Sequence, residues 1–181
     1  MRIGVLVLVV LLLSGCAGTP HEPAPVTDKS IPPSEYTTRA PSPAAATPGT
    51  PLAELLSYAT SLRGAAYHSG GTTPQQGFDC SGFVQHVYGR WGVSLPHNAD
   101  EMARGLPPIK PADPRPGYLV FFNTLGHPHS HVGIYLGKDE FIHAPSSRSE
   151  TVMVSNMQDS YWRKRLDGVR RPMIASAQTA K

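Results

Sequence analysis

Long apolar runs are missing from this 181-residue chain. The longest, Ile3 to Leu13, falls short of the ~18 residues that a membrane-spanning helix requires. Cysteine is scarce too. Two residues, Cys16 and Cys80, exclude a disulfide-framework protein. Charge is sparse at 16%, with a formal net charge of +3. With no basic run and no aromatic–basic platform, nothing argues for a nucleic-acid partner. Proline is the opposite case. Nineteen are too many for one compact domain, so part of the chain should be linker. The 40% hydrophobic content still suffices for the core of one domain of ordinary size.

The N-terminus reads as an address. Met1-Arg2 is a short positive region and Ile3 to Leu13 an apolar one of secretory-signal length. Leu13-Ser14-Gly15-Cys16 follows at once and resembles the bacterial lipobox, which is cut just before a cysteine that carries lipid. Residues 1–15 are therefore expected to be a lipoprotein signal peptide, and Cys16 the lipid attachment site. Several acyl chains anchor stably where one is marginal. Ala17 after the cysteine resembles the pattern of outer-membrane lipoproteins in a host with two membranes. The expected location is the cell envelope, lipid-anchored at the outer membrane and facing the periplasm. Removal of Cys16 from the count leaves Cys80 as the single thiol of an exported chain, which must be either buried or used.

Residues 16–50 read as a tether, since Ala17 to Pro51 holds nine prolines with little aliphatic content. The globular domain is expected over 51–172, with a frayed tail over 173–181. Thr50-Pro51 is an N-cap followed by proline at the first helical position, and Leu52, Leu55, Leu56, Ala59 and Leu62 keep helical spacing up to Gly64. Tyr67 to Phe78 reads as loop. A second helix should run from Cys80 to a stop at Gly92, with Asp79 as its cap and a stripe of Phe83, Val84, Val87, Tyr88 and Trp91. A short third helix is expected over Ala99 to Arg104, capped by Asn98. From Gly117 the pattern changes to strands: Tyr118 to Phe122, His131 to Leu136, Glu140 to His143, Thr151 to Val154 and Gly168 to Arg171. Gly137-Lys138-Asp139 reads as a hairpin turn. Helices first and consecutive strands afterwards argue for an α+β fold with an antiparallel sheet.

Cys80 falls in the first turn of a helix, where unpaired N–H groups and the helix dipole favour thiolate and lower its pKa. Thiolate is the nucleophile. The charge of Asp79 works the other way. A nucleophilic cysteine needs a base, and eight histidines compete for the role. If a hairpin joins the strands that begin at His131 and end at His143, the two become cross-strand neighbours, and a Cys-His-His version of the triad logic becomes possible. A rival reading takes His127, His129 and His131 as an H-x-H-x-H metal site in a metallohydrolase or metal-binding lipoprotein. Gly126 and Pro128 speak against it, because they mark a loop rather than a strand.

Gly77-Phe78-Asp79-Cys80-Ser81-Gly82-Phe83-Val84 resembles the nucleophile motif of the NlpC-type cysteine peptidases of the bacterial cell wall. His131 to Gly137 resembles their histidine strand, and Ile142-His143-Ala144-Pro145 their third catalytic position. The likeness runs in order from about Leu52 to Arg171. It implies a papain-like core, with the cysteine at a helix N-terminus packed on an antiparallel sheet that carries the histidines. It also implies a murein endopeptidase acting on peptidoglycan stem peptides or cross-links, with catalytic Cys80, His131 and His143 and no cofactor or metal. Tyr67 would serve the oxyanion, Asp79 would meet a substrate amine, and the protein would be a monomer. Ala66, His97, Asn98, Ala99, Met102 and Tyr118 depart from the pattern without removing a catalytic group. A non-catalytic wall-binding module on the same fold is a further alternative, although it would need none of the three catalytic residues.

Overall fold

The computed structural model describes residues 48–146 and 150–174. The expected signal peptide (1–15), Cys16, nearly all of the tether (16–50) and most of the tail (173–181) lie outside the described residues.

Helix α1 (Pro51–Ser61) starts as its sequence dictates, with the Thr50 hydroxyl accepting the Ala53 amide at 3.2 Å. Such a cap is worth ~1 kcal/mol. Helix α2 (Cys80–Gly89) is capped by Asp79, whose carboxylate accepts the Gly82 amide at 2.7 Å. It ends before the expected stop, leaving Trp91 in the following turn. Helix α3 (Ala99–Gly105) is capped by Asn98 through the Glu101 amide at 3.0 Å. The stretch read as loop between Tyr67 and Phe78 contains a two-stranded ribbon, β1 (Thr72–Thr73) and β2 (Gly77–Phe78). Two-residue strands are too short to show a period, so the pattern could not reveal them.

The main sheet is wholly antiparallel. Its strands are β3 (Pro108–Ile109), β4 (Leu119–Phe122), β5 (His131–Gly137), β6 (Glu140–His143), β7 (Met153–Asn156) and β8 (Leu166–Arg170). They lie in the order β3-β8-β4-β5-β6-β7. The β5–β6 hairpin turns where expected, with Gly137, Lys138 and Asp139 all at positive φ. Strand β7 lies two residues beyond the expected Thr151 to Val154, because Thr151 instead bridges Ala66. Helix α4 (Ser160–Arg163), a single turn, precedes β8.

Both faces of the central strands are covered. Leu119, Phe121, Val132 and Ile134 pack with Leu55, Leu56 and Ala59 of α1 and with Phe83, Val84, Val87 and Tyr88 of α2. The other face joins Val120, Phe122, Tyr135, Phe141, Met157 and Val169, with Trp162 of α4 packed against them. This two-sided burial explains why β4 reads as an unbroken run, Leu-Val-Phe-Phe, rather than alternating. Each large side chain buried in this way contributes roughly 1.5–3 kcal/mol.

Candidate active site

The N-terminus of α2 is pressed onto the loop before it. A Cβ on Gly82 would lie 2.0 Å from the Gly71 carbonyl oxygen, so only glycine lets the backbones approach so closely. The Asp79 amide donates to that same carbonyl at 3.1 Å. Cys80 is thereby held at the helix start and packs against the main core. The backbone amide of Val132, the residue after His131, acts on its sulfur. The nucleophile candidate thus lies beside the backbone of β5 next to the base candidate, His131. No hydrogen bond joins thiol and imidazole among the described residues; such bonds commonly tighten only when substrate binds.

His131 and His143 are both buried, and His131 Nε2 lies 2.8 Å from His143 Nδ1. The register explains the meeting. Ile134 pairs with Ile142, which sets Gly133 opposite His143 and His131 diagonal to it on one face. Gly133 makes room, since a Cβ there would lie 3.1 Å from the His143 Cβ and 2.7 Å from the Phe141 ring. His143 Nε2 reaches Ser155 Oγ on β7 at 2.9 Å. Trp162 contacts both imidazoles. Neither Ser155 nor Trp162 carried a sequence signal, because each is brought in from a separate element.

Burial dominates the electrostatics. It pushes the Cys80 thiol up to about 11, and the nearby Asp79 charge adds to this. The amides of Val132, Ser81 and Cys80 pull the other way and do not prevail. The helix-start argument alone therefore points in the wrong direction for the resting state: desolvation of the sulfur outweighs the helix N–H groups. Burial likewise lowers His131 to about 4 and holds His143 well below an ordinary imidazole, with the neighbouring His131 contributing. At neutral pH the resting pair is neutral thiol and neutral imidazole.

Asp79 is more than a cap. Its carboxylate also meets His97 Nε2 at 3.0 Å, the Ser81 hydroxyl at 3.1 Å and the Gly70 amide at 2.9 Å. Burial would raise its pKa, yet the bonds from Gly82, His97 and Ser81 hold it below the usual carboxylate value. Tyr67 is half-buried, and its phenol is raised by burial and then by the nearness of Cys80, with a smaller effect from Asp79. A cleft of about 600 Å³ opens beside Cys80, with His97, Asn98, Asp100, Arg104 and the 127–130 loop among its walls.

The H-x-H-x-H triplet does not converge. His129 lies before β5 at positive φ, with its ring 3.4 Å from Asp100. His127 is exposed, and His131 turns to His143. Among the described residues no three His, Cys, Asp or Glu side chains are grouped to hold a metal ion.

Residues 64–171 match the NlpC/P60 family. The chain belongs to that family. Among curated NlpC/P60 relatives it is 40% identical over 129 residues to the gamma-DL-glutamyl hydrolase of Bacillus subtilis (strain 168), a match covering 70% of this chain and 31% of the relative. It is 38% identical over 115 residues to the murein DD-endopeptidase MepS/murein LD-carboxypeptidase of Escherichia coli (strain K12), covering 63% of this chain and 59% of the relative. It therefore spans less than two thirds of either relative's length. A solved NLP/P60-family structure, described as similar to a lipoprotein, from Staphylococcus aureus superposes with a TM-score of 0.61 at 31% identity. That match covers 67% of this chain and 41% of the other. The papain-like α+β architecture expected from the sequence is the fold of this NlpC/P60 domain.

Proposed function

We propose that this protein is a peptidoglycan hydrolase, a cysteine endopeptidase that cuts a peptide bond in the stem peptides or cross-links of murein. The observation that carries the reading is Cys80 at the N-terminus of α2, its sulfur met by the amide of Val132, next in sequence to a His131 that lies 2.8 Å from the buried His143. The murein DD-endopeptidase among the relatives supports the same substrate class.

His131 Nε2 is engaged by His143, which leaves Nδ1 to take the thiol proton. Because the resting groups are neutral, proton transfer accompanies attack. The Cys80 sulfur bonds to the peptide carbonyl carbon as its proton passes to His131. Backbone N–H groups at the α2 start and the neutral phenol of Tyr67 stabilise the oxyanion. His131 then protonates the departing amine, and water hydrolyses the thioester. His143 orients His131 and shares the charge it acquires. Asp79, paired with His97 at the cleft, offers its carboxylate to a cationic amine of the substrate.

Cys16 carries the lipid in this proposal. It anchors a monomer to the outer membrane on the periplasmic side, with residues 16–50 as a tether, 51–172 as the peptidase domain and 173–181 as a tail. Digestion of purified sacculi, with the released muropeptides identified by mass, tests the activity and tells a DL-glutamyl from a DD cut. Cys80→Ala should release none, and full release would refute the thiol mechanism. Cys16→Ala should leave the membrane fraction, and its retention there would refute the anchor.

A further inference from the structure

We propose that Ser155 is a positioning residue: it fixes the tautomer of His143 and, through it, the proton-accepting form of His131. The inference rests on the Cys80–His131–His143 reading and deepens it.

The register places the three groups in line. Phe141 pairs with Ser155, and residues two apart on a strand share a face, so His143 and Ser155 stand on the same side of β6 and β7. The line runs from His131 on β5 through His143 on β6 to Ser155 on β7, with steps of 2.8 and 2.9 Å.

A neutral imidazole has one N–H and one lone pair. For His131 to accept a proton at Nδ1, its own N–H must be on Nε2 and donate to His143 Nδ1. His143 must then carry its N–H on Nε2, which points at Ser155 Oγ. The opposite arrangement puts N–H on His143 Nδ1 and drives the His131 proton to the nitrogen that faces the thiol, leaving no base. His143 is fully buried, so an Nε2–H without an acceptor would be an orphaned donor. Ser155 supplies the acceptor. It is only half-buried, so its own hydroxyl proton can point to solvent while a lone pair faces inward. With its own proton turned to solvent the hydroxyl can only accept from Nε2, and that orientation would set the direction of both hydrogen bonds.

The test uses the full chain labelled with 15N-histidine, in which ring couplings report the protonated nitrogen. The expected result is His143 with its proton on Nε2 in the wild type and a substantial Nδ1–H population in Ser155→Ala. In parallel, kcat should fall about 10- to 100-fold at unchanged KM. Ser155→Thr, which keeps the hydroxyl, should restore both. A wild-type His143 protonated on Nδ1 overturns the proposal, and this measurement stands even where Ser155→Ala does not fold. An unchanged tautomer in folded Ser155→Ala overturns it too. Wild-type turnover in Ser155→Ala beside a dead Cys80→Ala sinks this inference alone, whereas an active Cys80→Ala sinks the thiol reading itself.

Discussion

The indole of Trp162 lies stacked on the imidazole of His131, with ring centres 5.5 Å apart and planes at 29°. An aromatic face attracts a cation, by ~0.5–2 kcal/mol depending on desolvation. Trp162 should therefore favour the imidazolium that forms during attack. Trp162→Leu, which stays apolar, is expected to lower kcat by about 2- to 30-fold. Trp162→Phe should keep most of the activity. Equal turnover in the Leu and Phe variants would reduce Trp162 to packing.

The buried histidines make stability depend on pH. His131 titrates near 4 in the fold, against 6.5 as its ordinary value. Below that ordinary value the unfolded chain takes up a proton that the fold refuses, so stability is full above it and is lost as pH falls toward about 4. The loss from His131 is roughly 3 kcal/mol, and His143 adds to it in the same direction. Urea unfolding at several pH values between about 7 and about 4.5 should show the decline. A His131→Gln variant should show a shallower one, and identical slopes would contradict the assignment.

Gly133→Ala should damage activity more than it damages the fold. The added methyl would meet the Phe141 ring at 2.7 Å and the Ile142 carbonyl oxygen at 3.0 Å, beside the His143 Cβ. Overpacking of this kind costs ~1–3 kcal/mol. It also pushes β6 away from β5 where the His131–His143 bond crosses. Gly105→Ala is the control, since a Cβ there meets nothing within 4 Å. Thermal melts and turnover measured on both variants decide the matter.

Asp79→Asn keeps a side-chain oxygen for the Gly82 amide, and Asn caps as well as Asp does. It removes the charge that is paired with His97. The melting temperature should fall modestly, because the Gly70 amide loses its acceptor, while kcat/KM should fall about 10-fold or more on substrates with a free amine. Unchanged kinetics would leave Asp79 as a cap alone.

The parts of the site legible in the sequence were those written locally. Asp79 before Cys80 is a cap before a helix, and Gly137-Lys138-Asp139 is a turn that folds His143 back toward His131. What remained hidden depends on distant contacts. Ser155 is an ordinary strand serine until β7 lies beside β6, and His97 is an ordinary loop histidine until it meets Asp79. Strand β3 and helix α4 are too short for any period to show, and the cap position of α4, Asp159, makes no side-chain cap bond. The pKa of Cys80 turned on burial, a property of the packed molecule that helix position does not encode.

The strand order has a consequence for the chain during synthesis. Strand β8 is the last of the described strands, yet it lies inside the sheet, between β3 and β4. Until Leu166–Arg170 has emerged, β4 has an open edge, and its partner β5 carries His131 on a half-built sheet. Cys80, on α2, precedes by far the strand that gives His131 its support. A truncated chain that stops short of β8 therefore lacks the strand that supports β4 and, through it, the start of β5 that carries His131. In the proposed peptidase the support of the candidate base, His131, is thus the last part of the site to be completed.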